Sequence, residues 1–273
     1  MEEKKTIFVD SHVHIYDCYD ITKFFQAAIS NFSKIHNRLN LTEKFIGVFF
    51  LTESGRINYF KEISDNIIHY SNRLKFKFEP TSEDNSLRVI IDSDNYLVLI
   101  AGKQIVTKEN LEVHAIGTTN GFKDGGNILS VLNIVKENDA VPVIPWGVGK
   151  WIGERGKIVE KIIQTSTGIF LGDNSGRPTF WTKPRLLTEG IKNKFYTLRG
   201  TDPLPIKSQE EKTGSFGFYF ISEFNLEKPS EFLKNYLRSL KRQPNDYGEL
   251  ESFSNFVKNQ FLIQYSKLIK KAF

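Results

Sequence analysis

The chain has 273 residues, 40% of them apolar and 13% aromatic, enough to bury one sizeable core. Its single cysteine, Cys18, excludes an intrachain disulfide framework and a cysteine-built zinc cluster. The net charge is +5, and the excess gathers in residues 229–273, where eight Lys and Arg face four acids; such a tail suits a nucleic acid or an acidic protein partner, or is simply a solvated helix face.

In chain order, Met-Glu-Glu-Lys-Lys leads straight into a strand at 6–9, without the apolar core of a signal peptide. No later run approaches the roughly 18 apolar residues of a membrane span. A soluble, cytoplasmic protein with no membrane partner is expected. Further short apolar, β-branched runs predict strands at 45–51, 74–78, 112–117, 141–145, 168–172 and 196–200. Between them, apolar residues at three- and four-residue spacing predict helices at 21–35, 57–71, 127–136, 154–164 and 184–191. Residues 86–107 break the alternation: three apolar runs follow one another around Asp92-Ser93-Asp94-Asn95, which predicts an antiparallel hairpin or inserted sheet. After Pro205 come a polar loop, a strand at 216–221 and amphipathic helices at 229–242 and 247–271. Alternating strands and helices predict α/β architecture with a parallel sheet. The expected fold is a distorted, TIM-like (β/α)7 barrel over residues 1–205, with an antiparallel insertion at about 86–107. Residues 206–273 then add a strand and two basic helices packed on the barrel or on a partner.

In such a barrel the C-terminal strand ends carry the chemistry. The first strand runs into Asp10-Ser11-His12-Val13-His14. Residues two apart on a strand share a face, so His12 and His14 can present imidazole nitrogens to one Zn²⁺, Mn²⁺ or Fe²⁺. The fifth strand runs into Trp146-Gly147-Val148-Gly149-Lys150; Trp146 can wall a substrate pocket, and Lys150 either binds an anionic group or sits in solvent. The sixth ends in Asp173-Asn174-Ser175-Gly176-Arg177, a sequence suited to metal or phosphate contact and equally to a turn. The seventh ends in Arg199-Gly200-Thr201-Asp202, where Asp202 is the leading candidate acid and Arg199 a further cation at the mouth. His36 and His69 fall inside predicted helices and have no partner motif. The glycine-rich 120–126 lacks P-loop spacing.

The opening His12-Val13-His14, the segment Gly102-Lys103-Gln104-Ile105-Val106-Thr107 and the run Glu112-Val113-His114-Ala115-Ile116-Gly117 together resemble the polymerase-and-histidinol-phosphatase (PHP) family, and more broadly the amidohydrolases. The resemblance implies a seven-stranded barrel in which His114 joins His12, His14 and Asp202 as metal ligands around one or two divalent cations. It also implies Glu at 104, a His-Pro pair near 146 and a His at 204, where this chain has Gln104, Trp146 and Leu204. The ligand set is therefore expected to be reduced, with Gln104 and Asn174 left to contact substrate. The expected activity is a metal-dependent hydrolase: metal-activated water attacks a small anionic substrate, a phosphoester first, with Asp202 or Asp173 taking the proton and Lys150, Arg177 and Arg199 binding the anion. Amidohydrolase-type C–N or carboxylate chemistry, and a catalytically lost barrel that docks through its basic C-terminal helices, are the alternatives.

Overall fold

The computed structural model describes the backbone of residues 3–55, 57–74, 76–91 and 96–272, with side chains up to residue 264. Its strands, in chain order, are β1 (Lys5–Val13), β2 (Phe45–Leu51), β3 (Lys77–Pro80), β4 (Ser86–Ile90), β5 (Tyr96–Ile100), β6 (Gly102–Val106), β7 (Glu112–Ile116), β8 (Val141–Pro145), β9 (Phe170–Asn174), β10 (Thr197–Gly200), β11 (Gly217–Ser222) and β12 (Asn245–Tyr247). They form two mixed sheets: seven strands in the order β12-β11-β1-β2-β5-β4-β3, and five in the order β10-β9-β8-β7-β6.

Strict alternation of side chains sorts the apolar residues into three cores. In the larger sheet Ile7 and Val9 of β1, Ile46, Val48 and Phe50 of β2, and Val98 and Ile100 of β5 face the smaller sheet and meet Ile116, Val141, Val143, Phe170 and Leu198. Their neighbours Phe8, Phe45, Phe49, Leu97 and Leu99 face the other way. There they pack against α1 (Ile21–Arg38), α2 (Tyr59–Asp65) and α3 (Ile67–Leu74), which contribute Phe24, Phe25, Phe32, Phe60 and Tyr70. The outer face of the smaller sheet is covered by α4 (Ile128–Glu137), α5 (Glu154–Thr165) and α6 (Arg185–Lys192). Helix α7 (Pro229–Ser239) inserts Leu233 and Leu237 into the central core, and α8 (Phe253–Ala272) closes the described chain.

The predicted barrel, TIM-like or PHP-like, does not form; the protein is α/β with open sheets. The reason lies at two strand edges. β1 is hydrogen-bonded to β2 on one side and to antiparallel β11 on the other, so β10 cannot join its ladder. β2 in turn is flanked by β1 and β5, and β6 reaches it only through an isolated bridge between Glu53 and Lys103. The inserted hairpin and the C-terminal strand thus occupy the edges on which a barrel would close. β7 further departs from the expected parallel order, running antiparallel to both β6 and β8.

Other predicted elements move by smaller steps. The strand expected at 74–78 begins at Lys77 and pairs antiparallel with β4, because Leu74 still belongs to α3. The helix expected at 57–71 breaks at Asn66, which ends α2 with a non-helical φ of −129° and ψ of 37°. Tyr247, expected within the last helix, instead pairs with Gly217 in the β11–β12 ladder. The turn at 92–95 lies outside the described residues.

Candidate metal centre

A bulge aims the two histidines. Between Asp10 and Val13 the register of β1 slips against β2: Asp10 pairs with Phe49 and Val13 with Leu51. Phe8 and Val13, of opposite parity, consequently both face the helix layer. Regular alternation would have carried His12 to that layer with Phe8; the extra residue turns His12 and His14 toward the space between the sheets. There His12 lies against His114, with ring centroids 4.2 Å apart.

Asp202 comes from the turn after β10. Gly200 lets β10 approach β1, since a Cβ there would lie 2.8 Å from His12 Cα and nearer still to its backbone nitrogen. Beyond it, Asp202 takes a left-handed φ of 47° and its N–H donates to the His12 carbonyl at 2.8 Å. The junction is pinned from below by buried Asp10. Its carboxylate accepts from Thr201 N (2.8 Å), Thr201 Oγ1 (2.6 Å), Gly214 N (2.9 Å) and His12 N (3.4 Å). Burial pushes Asp10 up to about 7, against the pull of those four donors.

The resulting geometry is specific. His12 Nε2 lies 3.0 Å from His14 Nε2, and Asp202 Oδ1 lies 3.3 Å from the first and 3.7 Å from the second. Ligand atoms bound tetrahedrally at about 2.0–2.1 Å from a zinc ion stand roughly 3.3 Å apart, so these three edges bracket the edge of such a sphere. His12, His14 and Asp202 could hold a metal ion. Burial lowers both imidazoles to about 3, which keeps them neutral at physiological pH, the state in which they ligate. The second Asp202 oxygen accepts from Asn174 Nδ2 at 2.8 Å, and the same amide nitrogen donates to the Trp146 carbonyl at 3.1 Å. Asn174 thereby fixes the carboxylate that would bind the ion.

The remaining candidates take different places. His114 is buried beside His12 but is not one of the three residues grouped to hold an ion. Its Nε2 lies 3.1 Å from Gln104 Oε1, its Nδ1 has no partner, and burial pushes its pKa well down. Asp173 is not at the metal group. In β9, Phe170 faces the central core and Leu171 the helices, so Gly172 and Asn174 point inward and Asp173 outward. Asp173 is gripped by Arg177 through two bonds of 3.2 and 2.9 Å, with Arg199 Nε 4.0 Å away; Arg199 also pairs with Asp246 at 3.2 Å. Arg177 and Arg199 are thus occupied by carboxylates. Lys150 pairs with Glu112, and its charge bears on His12, His14 and His114 alike. Trp146 is buried, edge-on to Trp181 at 6.3 Å. Leu204 contributes only its carbonyl, which accepts from Tyr19. Of the basic tail, Lys234 and Arg238 bind Asp139 at 2.6 and 2.7 Å and tether α7 to the turn after α4; the side chains of Lys267, Lys270 and Lys271 lie outside the described residues.

Sequence reasoning missed Asp10, although it stands in the same motif as the histidines. It also passed over Glu53, which is buried past the end of β2, accepts from Phe60 N at 3.0 Å and faces Lys103 at 3.4 Å. A charged residue two positions beyond the unbroken apolar run of β2 was the available signal.

Among the described residues no helix is long and apolar enough to cross a membrane. No family model matches the chain and no curated protein matches it. Among solved structures, that of PsfC from Pseudomonas syringae PB-5123 is similar over 86% of this chain and 98% of its own, at 9% identity and a TM-score of 0.42, too weak a likeness to carry fold or activity across. With open sheets and no matching family, the PHP and amidohydrolase resemblance falls, and with it the support that relatives would lend to a hydrolase assignment.

Proposed function

We propose that this protein binds one divalent metal ion through His12, His14 and Asp202 and uses it to activate water against a small anionic substrate. The observation that carries this reading is the set of three donor separations, which two neutral imidazoles and a carboxylate present as one face of a coordination sphere. A bound Zn²⁺, Mn²⁺ or Fe²⁺ would lower the pKa of a water in the remaining position toward neutrality. The chain's own contribution is positional. The bulge in β1 orients the imidazoles, Asn174 holds Asp202, and Asp202, with about a quarter of its side chain exposed, leaves a path to solvent. Lys150, although ion-paired with Glu112, supports an anionic substrate as the cation that bears on His12, His14 and His114 alike. Asp173, bound to Arg177, has no free oxygen for proton transfer in this reading.

The test is elemental analysis of purified protein beside a His12→Ala/His14→Ala variant, with phosphomonoester, phosphodiester and amide substrates assayed under added Zn²⁺ or Mn²⁺. Near-stoichiometric metal in the wild type, lost in the variant together with turnover, is the expected result. Metal below about a tenth of an equivalent, with no turnover, would overturn the proposal.

A further inference from the structure

The chain has three tryptophans, and all three line one cavity of about 630 Å³. Trp146 and Trp151 lie in the connection between β8 and α5, and Trp181 lies in the loop between β9 and α6, so two separate connections converge on it. Phe180 and Ile152 complete an exposed apolar rim, 56% and 71% accessible. Four glycines also line it, and at Gly149 and Gly153 an added Cβ would meet nothing within 4 Å, so the lining is open there. The volume falls within the roughly 300–1,000 Å³ of small-molecule sites.

The charges around the cavity are already spent. Arg177 is held by Asp173, Arg185 by Glu160 and Glu189, and Lys157 by Glu154. An occupant held here is therefore bound by its faces rather than by formal charge. The aromatic wall is also braced: Phe180 meets Phe253 at 5.4 Å and Trp181 meets Phe256 at 5.4 Å, so the first turns of α8 hold the loop that presents Trp181. The indole N–H of Trp151 is buried without an acceptor, an unmet demand that an oxygen or nitrogen on the occupant's edge would answer.

The cavity also adjoins the metal group. The amide of Asn174 donates at once to Asp202 and to the carbonyl of Trp146, a cavity residue. We infer that this cavity receives a planar heteroaromatic ring, stacked on Trp181, whose indole stands edge-on to Trp146, and that it is the ring of the substrate whose anionic group reaches the metal. The second half of that statement rests on the function proposed above. The first half does not.

The matched probes are adenosine 5′-monophosphate and ribose 5-phosphate, which share the phosphorylated ribose and differ in whether its C1 carries adenine or a hydroxyl, titrated calorimetrically into the chelator-treated protein. The ring-bearing phosphate is expected to bind at least tenfold more tightly. Trp181→Ala is expected to lose about tenfold of that affinity and Trp181→Phe to keep most of it, as stacking requires. Equal binding of the two phosphates, absence of binding, or equal affinities for wild type and Trp181→Ala would overturn the ring site whatever the metal analysis returns. A protein that takes up no metal yet binds the nucleotide through Trp181 would sink the hydrolytic reading and leave the ring site standing.

Discussion

Gly200 and His12 touch backbone to backbone, and this approach sets the position of Asp202 two residues on, whose N–H reaches the His12 carbonyl. The two sheets are joined here without a ladder. Gly200→Ala is expected to push β10 off β1, costing about 1–3 kcal/mol as overpacking does and weakening metal binding by more than tenfold. Urea unfolding together with metal titration checks both effects; a variant of unchanged metal affinity would show that the approach does not position Asp202.

Asn174 touches no ion in the proposed arrangement but orients a ligand. Asn174→Ala is expected to weaken metal affinity by roughly 10–100-fold, the usual effect of removing such a partner. The comparison is with Asp202→Ala, which should abolish binding. Equal metal affinity in wild type and Asn174→Ala, measured by competition with a chromogenic chelator, would count against the arrangement.

Arg177 and Asp173 form a buried pair away from the ligand atoms. Arg177→Ala strands the carboxylate and is expected to cost about 3–5 kcal/mol, while metal affinity in the protein that remains folded stays within twofold of wild type. Loss of metal without loss of stability would show that the Asp173–Arg177 pair supports the metal group rather than the fold alone.

Glu53 supplies a pH dependence. Burial raises its folded pKa above the ordinary 4.5, opposed by Phe60 N–H and Lys103. The folded state then takes up a proton before the unfolded state does, so this group's contribution to stability falls as pH rises from about 4.5 through the raised value and is level above it. Glu53→Gln removes the titration. The stability difference between the variant and wild type should therefore grow in the variant's favour with rising pH over that window. A difference independent of pH in parallel thermal melts would show that Glu53 is not shifted.

Several elements were legible because they follow from local pattern. The unbroken apolar run of β2 and the three- and four-residue spacing in α1, α4 and α5 mark these elements to within a few residues. Barrel closure was not legible, because it depends on which strand wins an edge. Nothing within 96–100 or 217–222 announces that these residues will flank β2 and β1. At the site, alternation in β9 was readable in principle: Phe170, Gly172 and Asn174 share a face, and the two-residue period of a strand is enough to separate Asn174 from Asp173. The bulge between Asp10 and Val13 was not, since it is a slip against a partner strand rather than a property of the sequence around it.

The seat of β11 on the free edge of β1 also orders events in time. The first strand of the chain is completed only by residues 217–222, and its histidines meet their carboxylate only when residue 202 has arrived. Loop closure over such separations is slow, and during synthesis β1 must wait with one edge unpaired until residues 217–222 have left the ribosome. The β2–β5–β4 pairings can form earlier. The ligand cluster is then among the last features to assemble, and a divalent ion captured by the finished site would stabilise only the completed fold.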